Sequence, residues 1–500
     1  MLGALPFALV ALVGVVAWGV GGYAPWAALA LELGAFALFA WLTGAVLLAT
    51  TAEARARYLS LAKRQGRQSE DVEILTPSRS SAEGPFREPY YVLGFPFRRM
   101  GAVVWLGLLT VWAAGSLVPI PPSLLSVVSP RAFALRGEAA SLTGATLGWT
   151  PTSVTPFLTS QDLLLWVAYA LLFVVTYHVS DSPKAVRRLS LSLLFLGAAS
   201  GVFGLVQWLT ALANGGSEGL MATGSFGNRN HYAYFQEMLA LVAAGWLAYS
   251  WDRAGRGSRD RRAAQEAKAR AALLGLALAA TGLGLVFSLS RSGIVCAVVG
   301  LGAFVLFSRE RGSTSHRRPL VLALALAAAL LWIGIDPVVE RFQLVGSDIT
   351  DDEGRAAVWR DSLAALPDFW LTGSGLSSFS YVYPIYRSFG GRRFYSWAHN
   401  DYLQLGIELG FPGILLALAL IAWMVRRAHR ARERLGRDPA LLKLQAGYLG
   451  ALLAVSLHSF TDFGLHLPAN AALLAVIAGV ATGMSPSRRK RVPMRSTDKV

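Results

Sequence analysis

The chain has 500 residues, of which 54% are hydrophobic and only 15% are charged. Soluble globular proteins carry about 25% charged residues, so too few polar side chains remain here to cover a water-facing surface of this size. The composition excludes a disordered, collagen-like or ordinary soluble protein and indicates an integral membrane protein. The single cysteine, Cys296, excludes an internal disulfide and a metal site built from cysteines.

Apolar runs of membrane-spanning length recur along the whole chain. About 20 mostly apolar residues are needed to cross a hydrocarbon core of about 30 Å. Twelve runs predict transmembrane helices near residues 2–20, 24–50, 101–119, 161–179, 189–213, 231–250, 271–288, 293–308, 319–335, 400–424, 441–460 and 469–484. The first run lacks the basic segment and the cleavage site of a signal peptide, so we expect a retained helix. The predicted fold class is an all-α polytopic membrane protein.

The formal net charge of +16 is distributed unevenly between the gaps that separate these runs. Of the 46 Lys and Arg residues, 36 lie in alternate gaps: 51–99, 180–188, 251–270, 309–318, 425–443 and the tail 485–500. Cytoplasmic loops carry the basic excess of membrane proteins, so we expect both termini in the cytoplasm. Such loops contact lipid head groups, and residues 434–443 and the tail 485–500 lack the interleaved aromatic residues that stack on nucleic-acid bases.

The same pattern divides the chain into regions. Residues 1–190 predict N-terminal membrane helices with a long basic cytoplasmic loop, 51–99. Residues 191–484 predict a second membrane domain, and 485–500 a basic cytoplasmic tail. The longest outside gap, 336–399, lies between the ninth and tenth spans and is the only one large enough to fold over the membrane.

Two outside turns carry arginines. The glycine-rich segment 224–231 (GSFGNRNH) contains Arg229 and precedes the sixth span, and backbone N–H groups at such a helix start favour anions. Residues 288–293 join spans seven and eight in a hairpin so tight that Arg291 must stay at the membrane surface. Its guanidinium is either a snorkelling anchor or a fixed partner for an anion such as a phosphate.

The outer loop 336–399 predicts a surface helix followed by an aromatic segment. Four apolar residues of 353–366 fall on one helical stripe, typical of a helix lying on the membrane or on the bundle: Val358, Trp359, Leu363 and Leu366. A break at 373–375 (GSG) leads into 379–394, which is crowded with Phe and Tyr. These rings are either interface anchors or, as a group, the lining of a glycan groove, because sugar C–H faces pack on aromatic planes.

His399 stands where the outer loop returns to the membrane. Asp401 followed by Gln404 is typical of a capping box and predicts a helix that starts just after His399. The partial positive charge of that helix start disfavours an imidazolium, so we expect a neutral ring that can accept a proton. A single interfacial histidine is otherwise structural. With Arg229 and Arg291 on the same face, it indicates departure of a pyrophosphate from a lipid carrier while a base activates a hydroxyl.

A third outside cluster contains His458, Asp462 and His466 at intervals of four residues, which would align them on one helical face and could imitate a metal site. Gly464 and Pro468 should end the helix before His466 joins that face, so lining of a polar cavity is the favoured interpretation. Three polar residues inside the spans are expected to face the bundle interior: Glu32, Gln207 and Glu237.

These segments resemble the O-antigen ligase and polymerase superfamily of bacterial membrane glycosyltransferases. The resemblance rests on GSFGNRNHY at 224–232, SRSG at 290–293, 355–379 with its Trp, Pro and GSG, HNDYLQLGIELG at 399–410, and 458–470. The order and spacing of these motifs, and the side of the membrane on which they are expected, support the resemblance over roughly residues 195–480. The resemblance implies a fold similar to the type-C glycosyltransferases, with 191–484 as an O-antigen ligase-like catalytic domain in the bacterial inner membrane.

The resemblance also implies a reaction. The donor is an undecaprenyl-pyrophosphate-linked glycan, and its transfer is inverting and needs neither a metal nor another cofactor. The acceptor is a lipid A core sugar in a ligase or another lipid-linked glycan in a polymerase, and the sequence leaves both open. A lipid-linked glycan flippase or a secondary transporter is the alternative, but the spans carry few polar midplane residues and no clear inverted repeat.

The site residues follow from the same resemblance. His399 is implied as the base and Arg291 as a catalytic and pyrophosphate-binding residue. Arg229 is implied as the second pyrophosphate arginine, although many relatives have proline at this position. Four further residues are candidates for acceptor contact or for positioning: Arg355, Tyr402, His458 and Asp462.

Overall fold

The computed structural model describes residues 3–22, 24–65, 90–92, 95–97, 101–216, 220–255, 261–308, 354–390, 392–436 and 438–485. The helices are α1 (Leu5–Trp18), α2 (Pro25–Gln65), α3 (Ala102–Gly115), α4 (Pro122–Val128), α5 (Pro130–Thr143), α6 (Pro156–Val179), α7 (Pro183–Ala213), α8 (Arg229–Gly255), α9 (Arg261–Phe287), α10 (Arg291–Phe307), α11 (Arg355–Ala365), α12 (Phe379–Tyr386), α13 (Asp401–Leu435), α14 (Pro439–His458) and α15 (Pro468–Gly483). Strands β1 (Tyr90–Val92) and β2 (Phe95–Phe97) form an antiparallel pair. A proline occupies the first turn of many of these helices, where its missing N–H leaves no intrahelical hydrogen bond unmade.

Six described helices are long and apolar enough to cross a membrane: α2 over Pro25–Ala45, α6, α7, α9 over Ala269–Phe287, α13 and α14. Shorter apolar helices are α1, α3, α10 and α15. The protein is therefore an all-helical integral membrane protein in its main architecture. Eleven of the twelve predicted spans coincide with described helices. The predicted span at 319–335 lies outside the described residues, so the count of twelve stays a prediction.

Helix α8 lies at the centre of the bundle and packs against α7, α9, α10 and α14. Gly245 of α8 and Gly447 of α14 let these two helices approach closely, since a Cβ at Gly447 would lie 2.6 Å from the carbonyl oxygen of Leu241. One apolar core extends from Leu5 in α1 to Met484 after α15. The predicted domain boundary between 190 and 191 falls inside α7, and helices from both sides of it share this core.

The bundle has two chemically different ends. At the end we call the basic end, Lys443 lies 2.6 Å from Asp252, and the Arg432 guanidinium lies over the Phe307 ring. At the opposite end, which we call the site end, α8, α10, α13 and α15 begin and α14 finishes. Helix α10 ends at the basic end. Helix α11 packs against α13 at the site end.

The predicted apolar stripe of α11 is buried at Val358 and 57% exposed at Leu363, so it does not lie wholly on the bundle. Asp361 faces inward, where its carboxylate accepts hydrogen bonds from the backbone N and the hydroxyl of Ser388. Two other local predictions about side chains were wrong. Gln207 is exposed and accepts a hydrogen bond from the Thr223 backbone N. The cap of α13 is shifted by one residue, since the Asn400 side chain, and not that of Asp401, accepts from the N-terminal turn.

The long helix α2 continues to Gln65, so its C-terminal part occupies the beginning of the predicted basic loop 51–99. The predicted apolar span ended near residue 50, where polar residues begin. A run of Ala, Arg, Leu and Lys keeps good helix propensity beyond the apolar segment, and for this reason the helix extends past it.

Candidate active site

The outer loop is hydrogen-bonded to α13 at a bend in that helix. Gly410 has a φ of 66°, and Pro412 follows it. A proline removes a backbone donor and bends a helix. The groups released by the bend find partners outside the helix, because the Phe411 backbone N donates to the Trp370 carbonyl at 2.7 Å and Trp112 Nε1 donates to the Leu409 carbonyl at 2.8 Å.

His399 is held in a strained conformation immediately before α13. Its φ of 52° lies in the left-handed region, which a residue other than glycine rarely occupies. The Trp359 indole N–H donates to the carbonyl oxygen of His399 at 3.2 Å, and the His399 ring stands edge-on to the Phe463 ring at a centroid distance of 4.9 Å. Strained backbone of this kind persists where the surroundings fix it, and it is frequent at functional sites.

Asp462 lies next to the His399 ring. Its Oδ1 is 3.6 Å from His399 Nδ1, and its Oδ2 is 3.5 Å from Arg355 Nη2. The carboxylate side chain is only 2% exposed, whereas that of His399 is 30% exposed. Burial alone would raise the pKa of Asp462, but the neighbouring His399 and the charge on Arg355 outweigh it and hold that pKa well below its usual range.

The two ring nitrogens of His399 differ in their surroundings. Nδ1 is buried next to the Asp462 carboxylate and has no hydrogen-bond partner among the described residues, so the exposed part of the side chain lies elsewhere. A carboxylate beside Nδ1 favours the tautomer with the proton on that nitrogen, which leaves Nε2 as a proton acceptor.

Phe463 lies at the centre of a ring cluster that supports the site. It is stacked on Trp397 at 5.6 Å and meets the edges of both His399 and His231. The His231 side chain, at the start of α8, is 3% exposed, and neither ring nitrogen has a hydrogen-bond partner among the described residues. Sequence analysis assigned His231 no role, and only its place in the segment GSFGNRNH pointed to it.

A second histidine and carboxylate pair lies deeper in the bundle. His458 Nδ1 is 3.1 Å from Glu237 Oε2, and both side chains are fully buried. Tyr234 stacks on the His458 ring at 4.5 Å, and its hydroxyl is hydrogen-bonded to Ser459 Oγ. The predicted inward orientation of Glu237 is therefore confirmed, and this pair joins α8 to the end of α14.

A third pair joins the start of α13 to the segment before α15. Asp401 Oδ1 is 2.9 Å from His466 Nδ1, and Trp397 packs on the His466 ring at 4.7 Å. Burial would lower the pKa of His466, but the hydrogen bond and charge of Asp401 outweigh it and raise that pKa. The three residues predicted at helical spacing therefore have different partners. Helix α14 ends at His458, so Asp462 and His466 do not continue its face.

The remaining predicted site residues also lie at the site end. Arg229 and Arg291 are the half-buried first residues of α8 and α10, and Gly293 of α10 packs against α8. The Tyr402 hydroxyl donates to the Ser456 carbonyl at 2.7 Å, which fastens α13 to α14. No group of three His, Cys, Asp or Glu side chains within the described ranges is arranged to hold a metal ion.

Comparison with known proteins identifies a family relationship for one segment. Residues 275–418 match the family model of the O-antigen ligases. The resemblance to the O-antigen ligase and polymerase superfamily is therefore confirmed. The matched segment includes Arg291, Arg355 and His399, whereas Arg229 and Asp462 lie outside it. No curated protein matches the chain.

Proposed function

We propose that this protein transfers a glycan from undecaprenyl pyrophosphate to an acceptor sugar hydroxyl at the outer face of the bacterial inner membrane. The accompanying topology has twelve spans, both termini in the cytoplasm and the loop 336–399 outside. The family match supports chemistry of the O-antigen ligase type. The observation that carries the proposal is the partly exposed His399 next to the buried Asp462 carboxylate, with Arg355 on its other oxygen.

In this reaction His399 acts as a general base. Its Nε2 takes the proton of the acceptor hydroxyl while the acceptor oxygen attacks the anomeric carbon of the donor. The bond from that carbon to the pyrophosphate oxygen breaks in the same displacement, so the configuration inverts and undecaprenyl pyrophosphate leaves. Asp462 keeps the proton of His399 on Nδ1 and stabilises the imidazolium.

The leaving pyrophosphate needs positive charge as it departs. We assign this role to Arg291, with Arg229 as a second contact, because both begin helices at the site end and a guanidinium binds phosphate oxygens in a bidentate manner. Backbone N–H groups at the starts of α8 and α10 add to this positive potential. Charge neutralisation of this kind needs no metal ion.

The acceptor is a lipid A core sugar or a second lipid-linked glycan. Both present a hydroxyl to the same base, and both reactions release the same carrier. Arg355 lies in the matched segment and is 36% exposed beside Asp462, so it can also contact the acceptor. Tyr402 and His458 are assigned to positioning, since a carbonyl oxygen and Glu237 engage them.

The test is glycan transfer in membranes that contain His399→Ala. A general base contributes typically about 10² to 10⁴-fold to rate, so transfer should nearly disappear while binding of the lipid-linked donor stays close to normal. The matched control is His429→Ala, since His429 is 67% exposed at the basic end. Protein abundance is measured by blot. Near-normal transfer by His399→Ala at normal abundance would contradict the proposal.

A lipid-linked glycan flippase or secondary transporter is the second candidate. The fully buried Glu237 and His458 favour it, because ionisable pairs inside membrane bundles often carry protons in transporters. A deletion strain separates the two candidates. Unattached or unpolymerised glycan outside the membrane supports the transferase, and glycan trapped on the cytoplasmic leaflet supports the transporter.

A further inference from the structure

Gln404 and Glu408 form a hydrogen-bonded pair on the buried face of α13, one helical turn apart. The Gln404 side chain is fully buried, and Glu408 is only 2% exposed. Gln404 Nε2 donates to Glu408 Oε1 at 2.9 Å. Neither side chain can meet a substrate at the surface. Buried amides and carboxyl groups cost free energy unless they are hydrogen-bonded, so their partners show what they hold in place.

The other end of the Gln404 amide reaches the residue before the base. Its Oε1 accepts a hydrogen bond from the backbone N of Ala398 at 3.0 Å, and Ala398 is fully buried. A side-chain amide has one acceptor end and one donor end. The Ala398 N–H requires the oxygen of Gln404, and the accepting oxygen of Glu408 requires its NH₂ group. The two partners together therefore fix the direction of the amide.

The backbone around His399 is held on both sides. Gln404 binds the backbone N–H of Ala398 on one side, and the Trp359 indole binds the carbonyl oxygen of His399 on the other. The strained φ of 52° at His399 lies between these two hydrogen bonds. Such a conformation persists only where the surroundings impose it. Loss of the Gln404 contact should therefore let the backbone relax and move the imidazole away from Asp462.

Glu408 also fastens the outer loop to α13. Its Oε1 accepts a hydrogen bond from the backbone N of Phe379, the first residue of α12, at 3.4 Å. Its carbonyl oxygen accepts from the backbone N of Gly375 at 3.0 Å. Gly373 permits this approach, because a Cβ there would lie 2.2 Å from the same carbonyl oxygen. The outer loop and the residue before the base are therefore connected through one buried residue.

We propose that Gln404 and Glu408 are positioning residues for the base, an inference that rests on the proposed function. They hold residues 398–399 in the conformation that places the imidazole beside Asp462, and they connect this conformation to the start of α12. Glu408 acts as a hydrogen-bond acceptor, and its negative charge is not required. A displacement of about 1 Å can cost about 10²-fold in rate, so these buried contacts should be visible in transfer.

The first test is Gln404→Leu, which removes the amide and keeps a side chain of similar size. Transfer per folded molecule should fall on the order of 10²-fold, while binding of the lipid-linked donor stays close to normal. The matched control is Gln445→Leu near the start of α14. Gln445 is equally buried, and its Nε2 donates to the carbonyls of Ala428 and Ala481 at 3.1 Å. Near-normal transfer by Gln404→Leu, or an equal loss by Gln445→Leu, would overturn the proposal.

Glu408→Gln and Glu408→Met separate the role of an acceptor from the role of a charge. Glutamine keeps one carbonyl oxygen, and the donors Gln404 and Phe379 both use the same oxygen of Glu408. Methionine keeps the length of the side chain but has only a weak acceptor. Transfer should fall only a few fold in Glu408→Gln and about 10²-fold in Glu408→Met. Equal transfer by the two variants, whether high or low, would overturn the role of Glu408 as an acceptor.

The position of His399 is measured independently of transfer. Diethyl pyrocarbonate modifies accessible neutral imidazoles, and mass spectrometry of the full-length protein in detergent gives the rate at each histidine. His429, which is 67% exposed at the basic end, is the internal reference. The rate at His399 relative to His429 should rise severalfold in Gln404→Leu and in Glu408→Met, and it should not change in Gln445→Leu. An unchanged ratio in the first two variants would overturn the proposal.

The two measurements distinguish a failure of this inference from a failure of the proposed function. If His399→Ala transfers glycan normally, the proposed function is wrong, and the modification ratio alone decides whether Gln404 and Glu408 hold His399. If His399→Ala is inactive but Gln404→Leu and Glu408→Met keep both normal transfer and the wild-type ratio, the proposed function stands and the positioning role is wrong.

Discussion

Two of the three histidine and carboxylate pairs at the site end have the same chemistry and opposite surroundings. His399 is 30% exposed and 3.6 Å from Asp462, whereas His458 and Glu237 are fully buried and 3.1 Å apart. Only the first pair can meet a sugar hydroxyl. The two side chains of the second pair are closer together and are not accessible to a substrate, as expected of a pair that joins two helices. In the proposed function, burial, and not the identity of the residues, separates the reactive pair from the structural one.

The largest effect on this comparison should come from Asp462→Asn. The amide keeps the shape of the side chain but loses the charge that orients the His399 ring. In the serine protease triad, loss of the equivalent carboxylate charge costs about 10⁴-fold, and we expect roughly 10² to 10⁴-fold here because the contact is longer. Transfer in membranes is the measurement, with donor binding and abundance as controls. Wild-type transfer by this variant would leave His399 without its orienting partner.

The arginines should give the next largest effect. Removal of one donor that stabilises developing negative charge typically costs about 10² to 10³-fold, and we expect this of Arg291→Ala. Arg291→Lys keeps the charge but loses the planar fork, so partial rescue indicates an electrostatic role and no rescue a geometric one. Arg229→Ala should be milder, because neighbouring backbone N–H groups bind anions without it. A larger loss in Arg229→Ala than in Arg291→Ala would reverse the assignment.

Glu237→Gln tests the buried member of the comparison. Removing one partner of a buried charged pair typically costs about 3–5 kcal/mol of stability, so the unfolding temperature should fall. Transfer per folded molecule should change only a few-fold, since the pair does not reach the surface. Complete loss of transfer by a folded Glu237→Gln would give this pair a part in the reaction and would favour proton movement through the bundle.

The smallest effect concerns pH. Asp401 raises the folded-state pKa of His466 above its unfolded value of about 6.5. The resulting stabilisation is fully present below the unfolded pKa and is lost as the pH rises through the folded pKa. The difference in unfolding temperature between wild type and His466→Gln should therefore be largest in mild acid and shrink in alkali. A difference that grows with pH would contradict the charged pair.

Much of the helical architecture was predictable from the sequence, because a bilayer requires long apolar runs and each run is visible in the local sequence. Helix α8 shows what hydropathy alone does not predict. It satisfied the apolar pattern only in part, since it carries His231, Gln236 and Glu237 inside the bundle. Its partners lie on other helices, and hydropathy contains no information about which helices are neighbours.

The site was predictable only in its parts. His399 stood out because a helix begins beside it, and the helix start alone suggested its state. The Asp462 carboxylate lies next to the His399 ring and affects it more directly than the helix start does. It belongs to a segment some sixty residues later in the chain. Even spacing grouped Asp462 with His458 and His466, but α14 ends at His458 and the backbone turns. The tertiary structure then distributes the three side chains to three different partners.

The most direct test of the central claim is a double-mutant cycle between His399→Ala and Asp462→Asn, measured as glycan transfer in membranes at matched protein abundance. If Asp462 acts through His399, it has nothing to orient once the imidazole is gone, and the double variant should be about as slow as His399→Ala alone. If the two losses multiply, the residues act independently, and the account of His399 as a base oriented by Asp462 is wrong.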